Sequence, residues 1–404
     1  MNGYKNIFKK YTKTYKSKQN KNNYSYNKNN QQNQNINNEK SLSSKNFKGK
    51  LKYVKTIEDH SEPINNMIYL ENSNYLTSDN NEFYIRNFED NNNNNKKNNF
   101  GQNSKIKKII YSSSKIVFLV AYTNQNNGQE EKGTFYKVNV SITSNNNQNQ
   151  LYSCNTRDSP NDMLISDNVI VTVGKNLIEI FELNQNNNND PLRKVSEFQF
   201  NNNEEKYSIL SIQSVGKKII CAHASGHISF WEPILEYPYL KNNEPKKIHM
   251  DAINNFICDK NTNNEDILIT CSSDKTIKIH SLDELVCFQV INFNEEVIDI
   301  KKIFDYEGQS YFIVNLKNGI LKIYDASFKE VLIIPNSSNT NNNKHVLNII
   351  KSSNNYENEN NEDYILISED NKINIYKWVK NEEKKHIEQS NKDNYNKKFF
   401  RNNW

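Results

Sequence analysis

Glycine and proline are scarce in this chain, 10 and 7 among 404 residues, and the glycines stand singly. A phosphate-cradling turn needs closely spaced glycines so that backbone N–H groups can approach the anion, and no such spacing exists. The five cysteines (Cys154, Cys221, Cys258, Cys271, Cys287) are scattered, with no C-x-x-C pair. That pattern gives neither a disulfide framework nor a zinc knuckle, and it points to a reducing setting. H-E-x-x-H and G-x-S-x-G are also missing, so metalloprotease and serine-hydrolase readings have no anchor. No apolar run approaches the roughly 20 residues that span a bilayer; the best, residues 116–122, has the length of a strand. The expectation is a protein that is not an enzyme, with no cofactor, metal, membrane contact or small-molecule substrate.

Asparagine and lysine are plentiful instead, and the charge is unevenly spread. Residues 1–50 hold twelve lysines and a single acid, Glu39, whereas residues 51–379 carry a net charge of −9. The chain therefore reads as a disordered, basic Asn/Lys-rich arm (1–50), a mildly acidic folded body (51–379) and a charged tail (380–404). The arm interleaves lysines with Phe8, Tyr11, Tyr15, Tyr24 and Tyr26. Lysines neutralise phosphates and aromatic rings stack on single-stranded bases, so RNA is one partner this arm would suit. It holds no continuous apolar stretch of the secretory kind, and the expected location is the cytoplasm or the nucleus.

The body repeats itself. A short apolar run, a polar turn and an alternating run recur at residues 75–85, 170–180, 220–230, 269–279, 314–323 and 365–375. A weaker seventh copy, 116–122 with 134–138, is split by a polar insertion. Period-2 alternation on both sides of an Asn, Asp or Gly turn is what a β-hairpin requires. The second strands are marked by Ile85, Val138, Ile180, Phe230, Ile279, Ile323 and Ile375, 42 to 53 residues apart. Two further strand-like runs precede most hairpins, which makes a four-stranded unit. Such units at this period suit a β-propeller, in which each sheet packs both faces on its neighbours.

His249, Ile253 and Phe256, followed by residues 267–279, resemble a WD40 repeat, with His280 where that family usually has Trp. His60, Ile64 and Met67 repeat the opening; Trp231 and Tyr324 occupy the Trp position elsewhere. The resemblance implies a seven-bladed, all-β propeller and a blade network of hydrogen bonds from His60, His249, Ser272, Asp274 and Trp231. It further implies a scaffold that binds other proteins as a subunit of a multi-protein complex, through Asp59, Asp79, Asn80, Asp251, Asp274 and Asn318 on one face of the ring. The other reading is an RNA- or ribonucleoprotein-associated factor that works through the arm. Residues 51–57 form an orphan strand expected to complete the last unit. Between Phe88 and Lys105, Asn-rich filler stands where an outer strand is expected. The other Asn-rich stretches read as expanded loops.

Overall fold

In the computed structural model, the described residues are 41–42, 49–70, 74–87, 96–99, 104–112, 116–123, 132–139, 151–157, 160–166, 169–175, 177–182, 193–199, 208–233, 240–242, 244–261, 263–304, 309–335, 347–351 and 363–380. All regular elements among them are β-strands, gathered into seven antiparallel sheets of four or five strands. Sheet 1 is Asn66–Tyr69, Asn74–Ser78, Glu82–Asn87 and Lys96–Asn99. Sheet 2 is Ser104–Ser112, Ile116–Thr123, Lys132–Asn139 and Leu151–Asn155, so the hairpin split in the sequence closes with Val117 opposite Val138. Sheet 3 is Asp162–Ser166, Val169–Val173, Leu177–Glu182 and Arg193–Gln199. Sheet 4 runs Ile209–Val215, Lys218–His223, His227–Pro233 and Leu240–Asn242, with Lys246–Lys247 also paired to the third strand. Sheet 5 is Ile253–Lys260, Asp266–Ser272, Thr276–Ser281 and Cys287–Asn292, and sheet 6 is Val297–Phe304, Ser310–Leu316, Leu321–Asp325 and Glu330–Ile334. Sheet 7 joins Leu347–Lys351, Asp363–Glu369 and Lys372–Lys380 to Gly49–Ile57 and Ser41–Leu42.

Neighbouring sheets pack face to face, which is why several middle strands, such as Val169–Val173, are buried at every position instead of alternating. Leu70, Leu76 and Phe83 of sheet 1 meet Ile106 and Ile109 of sheet 2. Val171 and Ile180 of sheet 3 meet Ile212 and Ile219 of sheet 4, and Ile228 meets Phe256 of sheet 5. Sheet 5 packs on sheet 6 through Ile277 and Val314, and sheet 6 on sheet 7 through Ile313 and Ile365. Sheet 7 returns to sheet 1 through Leu366 and Ile373 against Met67 and Tyr75. Sheets 2 and 3 are tied by the Lys108–Asp162 ion pair at 2.7 Å. The circle of contacts is a β-propeller.

The orphan strand lies where the chain ends come together. Gly49–Ile57 runs antiparallel to Lys372–Lys380 with Leu51 opposite Trp378 and Ile57 opposite Ile373. Leu51 is wholly buried against sheets 6 and 7, and Tyr53 meets Tyr376 edge-on at 6.0 Å. Pairing the first strand with the last covers an edge that would otherwise be open to other chains.

One sequence expectation is corrected. The outer strand of sheet 1 exists: Lys96–Asn99 pairs with Glu82–Asn87, inside a stretch read as Asn-rich filler. Its Lys and Asn residues have low strand propensity, so only backbone pairing at the sheet edge defines it. Ser41–Leu42, Gly49–Lys50 and Lys380 also take part in sheet 7. Most of the arm, the tail and the remaining Asn-rich insertions lie outside the described residues.

Candidate functional site

The turns between second and third strands and the segments leading into first strands share one end of the ring, as the backbone ties between them show. Ile64 N–H donates to Asp370 O, Ser273 N–H to Ala252 O, and His249 N–H to Gly226 O. The turns need left-handed residues, and Gly226 (φ 80°), Lys275 (φ 67°), Gly319 (φ 78°) and Asp370 (φ 53°) supply them. At Gly226 nothing larger fits, since an added Cβ would lie 2.3 Å from the carbonyl oxygen of His249.

Beneath this face, each of two entry segments is pinned by a histidine. His249 Nδ1 is 2.9 Å from Asp274 Oδ2, and its Nε2 is 2.7 Å from Thr270 Oγ1. A carboxylate only accepts, so the ring proton sits on Nδ1 and Nε2 accepts from the threonine. Asp274 also accepts from Met250 N–H and from the N–H and hydroxyl of Thr276. Burial alone would raise the Asp274 pKa, but these donors outweigh it and hold it at about 2. Burial pushes His249 below its usual value despite the carboxylate, so it stays neutral. Sheet 1 repeats the device. His60 Nδ1 is 3.1 Å from Asp79 Oδ2 and Nε2 is 2.8 Å from Thr77 Oγ1. Arg86 donates to Thr77 Oγ1 and, at 2.5 Å, to Asp59 Oδ1, with its guanidinium 4.5 Å from the Tyr84 ring centre. Burial opposes ionisation of Asp79, yet His60 and the N–H groups of Asn81 and Glu82 keep its pKa low. Trp231 joins a third set, donating from Nε1 to Ser229 Oγ at 3.1 Å, which lies 2.8 Å from His223 Nε2.

The expected blade network is thus redistributed. The hydroxyl under His249 is that of Thr270, and Ser272 instead holds the turn, donating to Asp251 O and accepting from Asp274 N–H. Sheet 1 has the same set, with Arg86 at the Trp position. Thr77, Thr270, Arg86, His223 and Ser229 were missed; their strand positions looked like ordinary alternating polar residues. Among the six expected partner-binding residues, Asp251 and Asn318 are exposed and Asp59 and Asn80 are partly exposed. Asp79 is buried and Asp274 is partly buried, and both accept hydrogen bonds from the blade histidines. Among the described residues, Met250 is an apolar projection of this face that composition did not flag, 81 % exposed beside Asp251.

His280 occupies the position where a Trp is usual, buried at 2 % exposure, and its Nδ1 has no hydrogen-bond partner. Burial, with His249 and Lys278 nearby, lowers its pKa to about 4. A histidine whose folded pKa lies below the unfolded value of about 6.5 binds its proton preferentially in the unfolded state, so stability falls as pH drops from about 6.5 toward 4. The thermal midpoint should decline over that window, and a His280→Phe variant should show a flatter profile. Identical profiles for the two proteins would show that His280 does not titrate on unfolding.

The first strands of the sheets surround a central cavity of about 570 Å³. Their polar groups reach from one sheet to the next and form a girdle. Asn65 donates to Ile106 O, Lys107 to Asn161, Asn161 to Ile209 O, and Asn254 to Val297 O. Asp162 accepts from Ile212 N–H at 3.1 Å while pairing with Lys108. Among the described residues, no group of three or more His, Cys, Asp or Glu side chains is arranged to hold a metal ion. Burial raises the thiol pKa of Cys221, Cys258 and Cys271, which marks them as packing residues.

No protein-family model and no curated protein matches this chain. Among solved structures it is similar to the crystal structure of the WD40 β-propeller domain of Doa1, with a TM-score of 0.55 and 12 % identity, over 81 % of this chain and 96 % of that one. At that identity the likeness is one of fold, and it agrees with the circle of sheets: the chain folds as a WD40-type β-propeller.

Proposed function

We propose that this protein is a non-catalytic interaction scaffold, a seven-bladed propeller with one blade per sheet, serving as an adaptor subunit in a multi-protein complex of the cytoplasm or nucleus. The observation that carries this reading is the construction of the ring face. Met250 and Asp251 project to solvent from a segment whose neighbours on both sides, His249 and Ser272, are locked by buried hydrogen bonds. A rigidly held apolar side chain beside a charge is the form of a binding hot spot, because little ordering entropy is lost on docking. Asn318 lies on the turn of the next sheet, and Asp59 and Asn80 stand farther round the ring at sheet 1.

The test is affinity purification of the full chain at two salt concentrations, with the bound material identified by mass spectrometry. A Met250→Ala/Asp251→Lys variant with an unchanged melting temperature is expected to lose the proteins recovered by the wild type. Full recovery by that variant would remove the ring face from the proposal. RNA recovered with a steep salt dependence, and lost on deleting residues 1–40, would favour the arm-centred reading instead.

A further inference from the structure

Among the described residues, several outer edges of the sheets carry charge. Sheet 1 ends on Lys96 and Lys97, and sheet 4 on Lys246 and Lys247. In sheet 3, Lys194 pairs with Glu179 and Glu197, and Arg157 adds to Glu197. Glu330 at the edge of sheet 6 is held by Lys322 at 2.7 Å. Such charges keep the unpaired N–H and C=O groups of an edge from templating another strand. Two outer strands of five residues or more carry none, Leu151–Asn155 and Cys287–Asn292. Cys287–Asn292 is exposed almost throughout, with Phe288 58 % and Val290 47 % accessible, and Val286 just ahead of it 46 % accessible. Its only guard is a bulge at Phe288, after which Gln289–Asn292 runs in regular register on Thr276–Ile279.

The surrounding charge selects the occupant. Asp283 and Glu284, at the N-terminal end of this edge, are exposed and in no ion pair among the described residues. At its C-terminal end Lys317 pairs with Glu296, and the Lys275 ammonium donates to Asn294 O, the residue before Glu295. A second copy of this chain, pairing antiparallel, would bring that already balanced end to the two carboxylates and leave them uncompensated. A segment with basic residues at its C-terminal end compensates them.

We infer that the Cys287–Asn292 edge of sheet 5 is a docking site for an extended partner segment, alternating in apolar residues and ending in lysine or arginine, which adds antiparallel as a further strand. Backbone hydrogen bonds to the edge give affinity. Contacts with Phe288 and Val290, and pairing with Asp283 and Glu284, give selection. The site is separate from the ring face and survives the failure of that proposal.

The probe is a fluorescein-labelled peptide of alternating Val and Thr ending in two Lys, titrated against the full chain by anisotropy. It is compared with the same peptide ending in two Glu, and with one carrying a central Pro. The Lys-ended peptide is expected to bind at least ~10-fold more tightly than either. Val290→Lys should reduce its affinity by a similar factor without changing the melting temperature, and Asp283→Lys/Glu284→Lys should reverse the order of the Lys- and Glu-ended peptides. Equal binding of the Pro peptide, or equal affinity of the Val290→Lys protein, overturns the proposal. So does a chain that sediments as a dimer and becomes monomeric in Val290→Lys, since the occupant would then be a second copy.

Discussion

Deleting residues 49–58 will leave the protein insoluble, whereas deleting residues 1–40 will leave a soluble protein with a melting temperature within about 2 °C of the full chain. The first deletion removes Leu51 from the apolar cluster it shares with Ile323, Ile365 and Ile367, a loss of roughly 2–3 kcal/mol from that side chain alone. It also strips the outer pairing partner from residues 373–380 and cuts the contact of Thr56 Oγ1 with Asn374 Oδ1 at 2.6 Å. A long β edge backed by Ile373 and Ile375 is then open in every molecule, which is the condition for edge-to-edge aggregation. Soluble fraction after expression and thermal unfolding by circular dichroism give the readout. Equal solubility of the two truncations would mean that the N-terminal strand does not close the ring.

Asp274→Lys will cost about 3 kcal/mol, and Asp251→Lys will cost about 0.5 kcal/mol or less, although the two residues are neighbours on the same face. Asp274 accepts from His249, Thr276 and Met250, and removing it strands their donors inside the blade. A lysine there also faces the buried histidine instead of a carboxylate. The Asp251 side chain accepts from Ala252 N–H at 2.7 Å at an exposed site. The Asp274 contribution has a pH signature of its own. Its folded pKa of about 2 lies below the unfolded value of about 3.9, so the stabilisation is complete above pH 4 and is lost as pH falls through 2. Chemical denaturation of the two variants and the wild type checks both magnitudes. Equal midpoints for Asp274→Lys and Asp251→Lys would contradict the network.

The hairpins were legible because alternation on either side of a turn is a local signal, and Ile269, Ile277 and Ile279 carry it within a few residues. The histidine networks were only half legible. His60 and His249 stood out by their spacing to Ile and Phe, but their acceptors and donors Thr77 and Thr270 sit mid-strand. There a polar residue usually means a solvent-facing position, and only the approach of the histidine from another segment buries it. The family pattern points to Ser272, which lies on the same strand as Thr270 but two residues nearer the turn. The girdle was illegible for a different reason. Asn65, Asn161 and Asn254 bind neighbouring sheets across 41 to 48 residues of sequence, yet they are indistinguishable from the asparagines of the insertions. Lys96–Asn99 shares that obscurity, since its pairing uses backbone groups that every residue has.

The most direct measurement is a cross-link between the two ends of the fold. Thr56 and Asn374 are paired across adjacent antiparallel strands, 318 residues apart in sequence, at a separation suited to a disulfide. In a Thr56→Cys/Asn374→Cys protein under mild oxidation, mass spectrometry of tryptic fragments should find the two positions joined within one chain, with a raised melting temperature that returns to normal on reduction. Failure to form the bond, or a bond formed only between chains, would show that the first strand does not seal the ring.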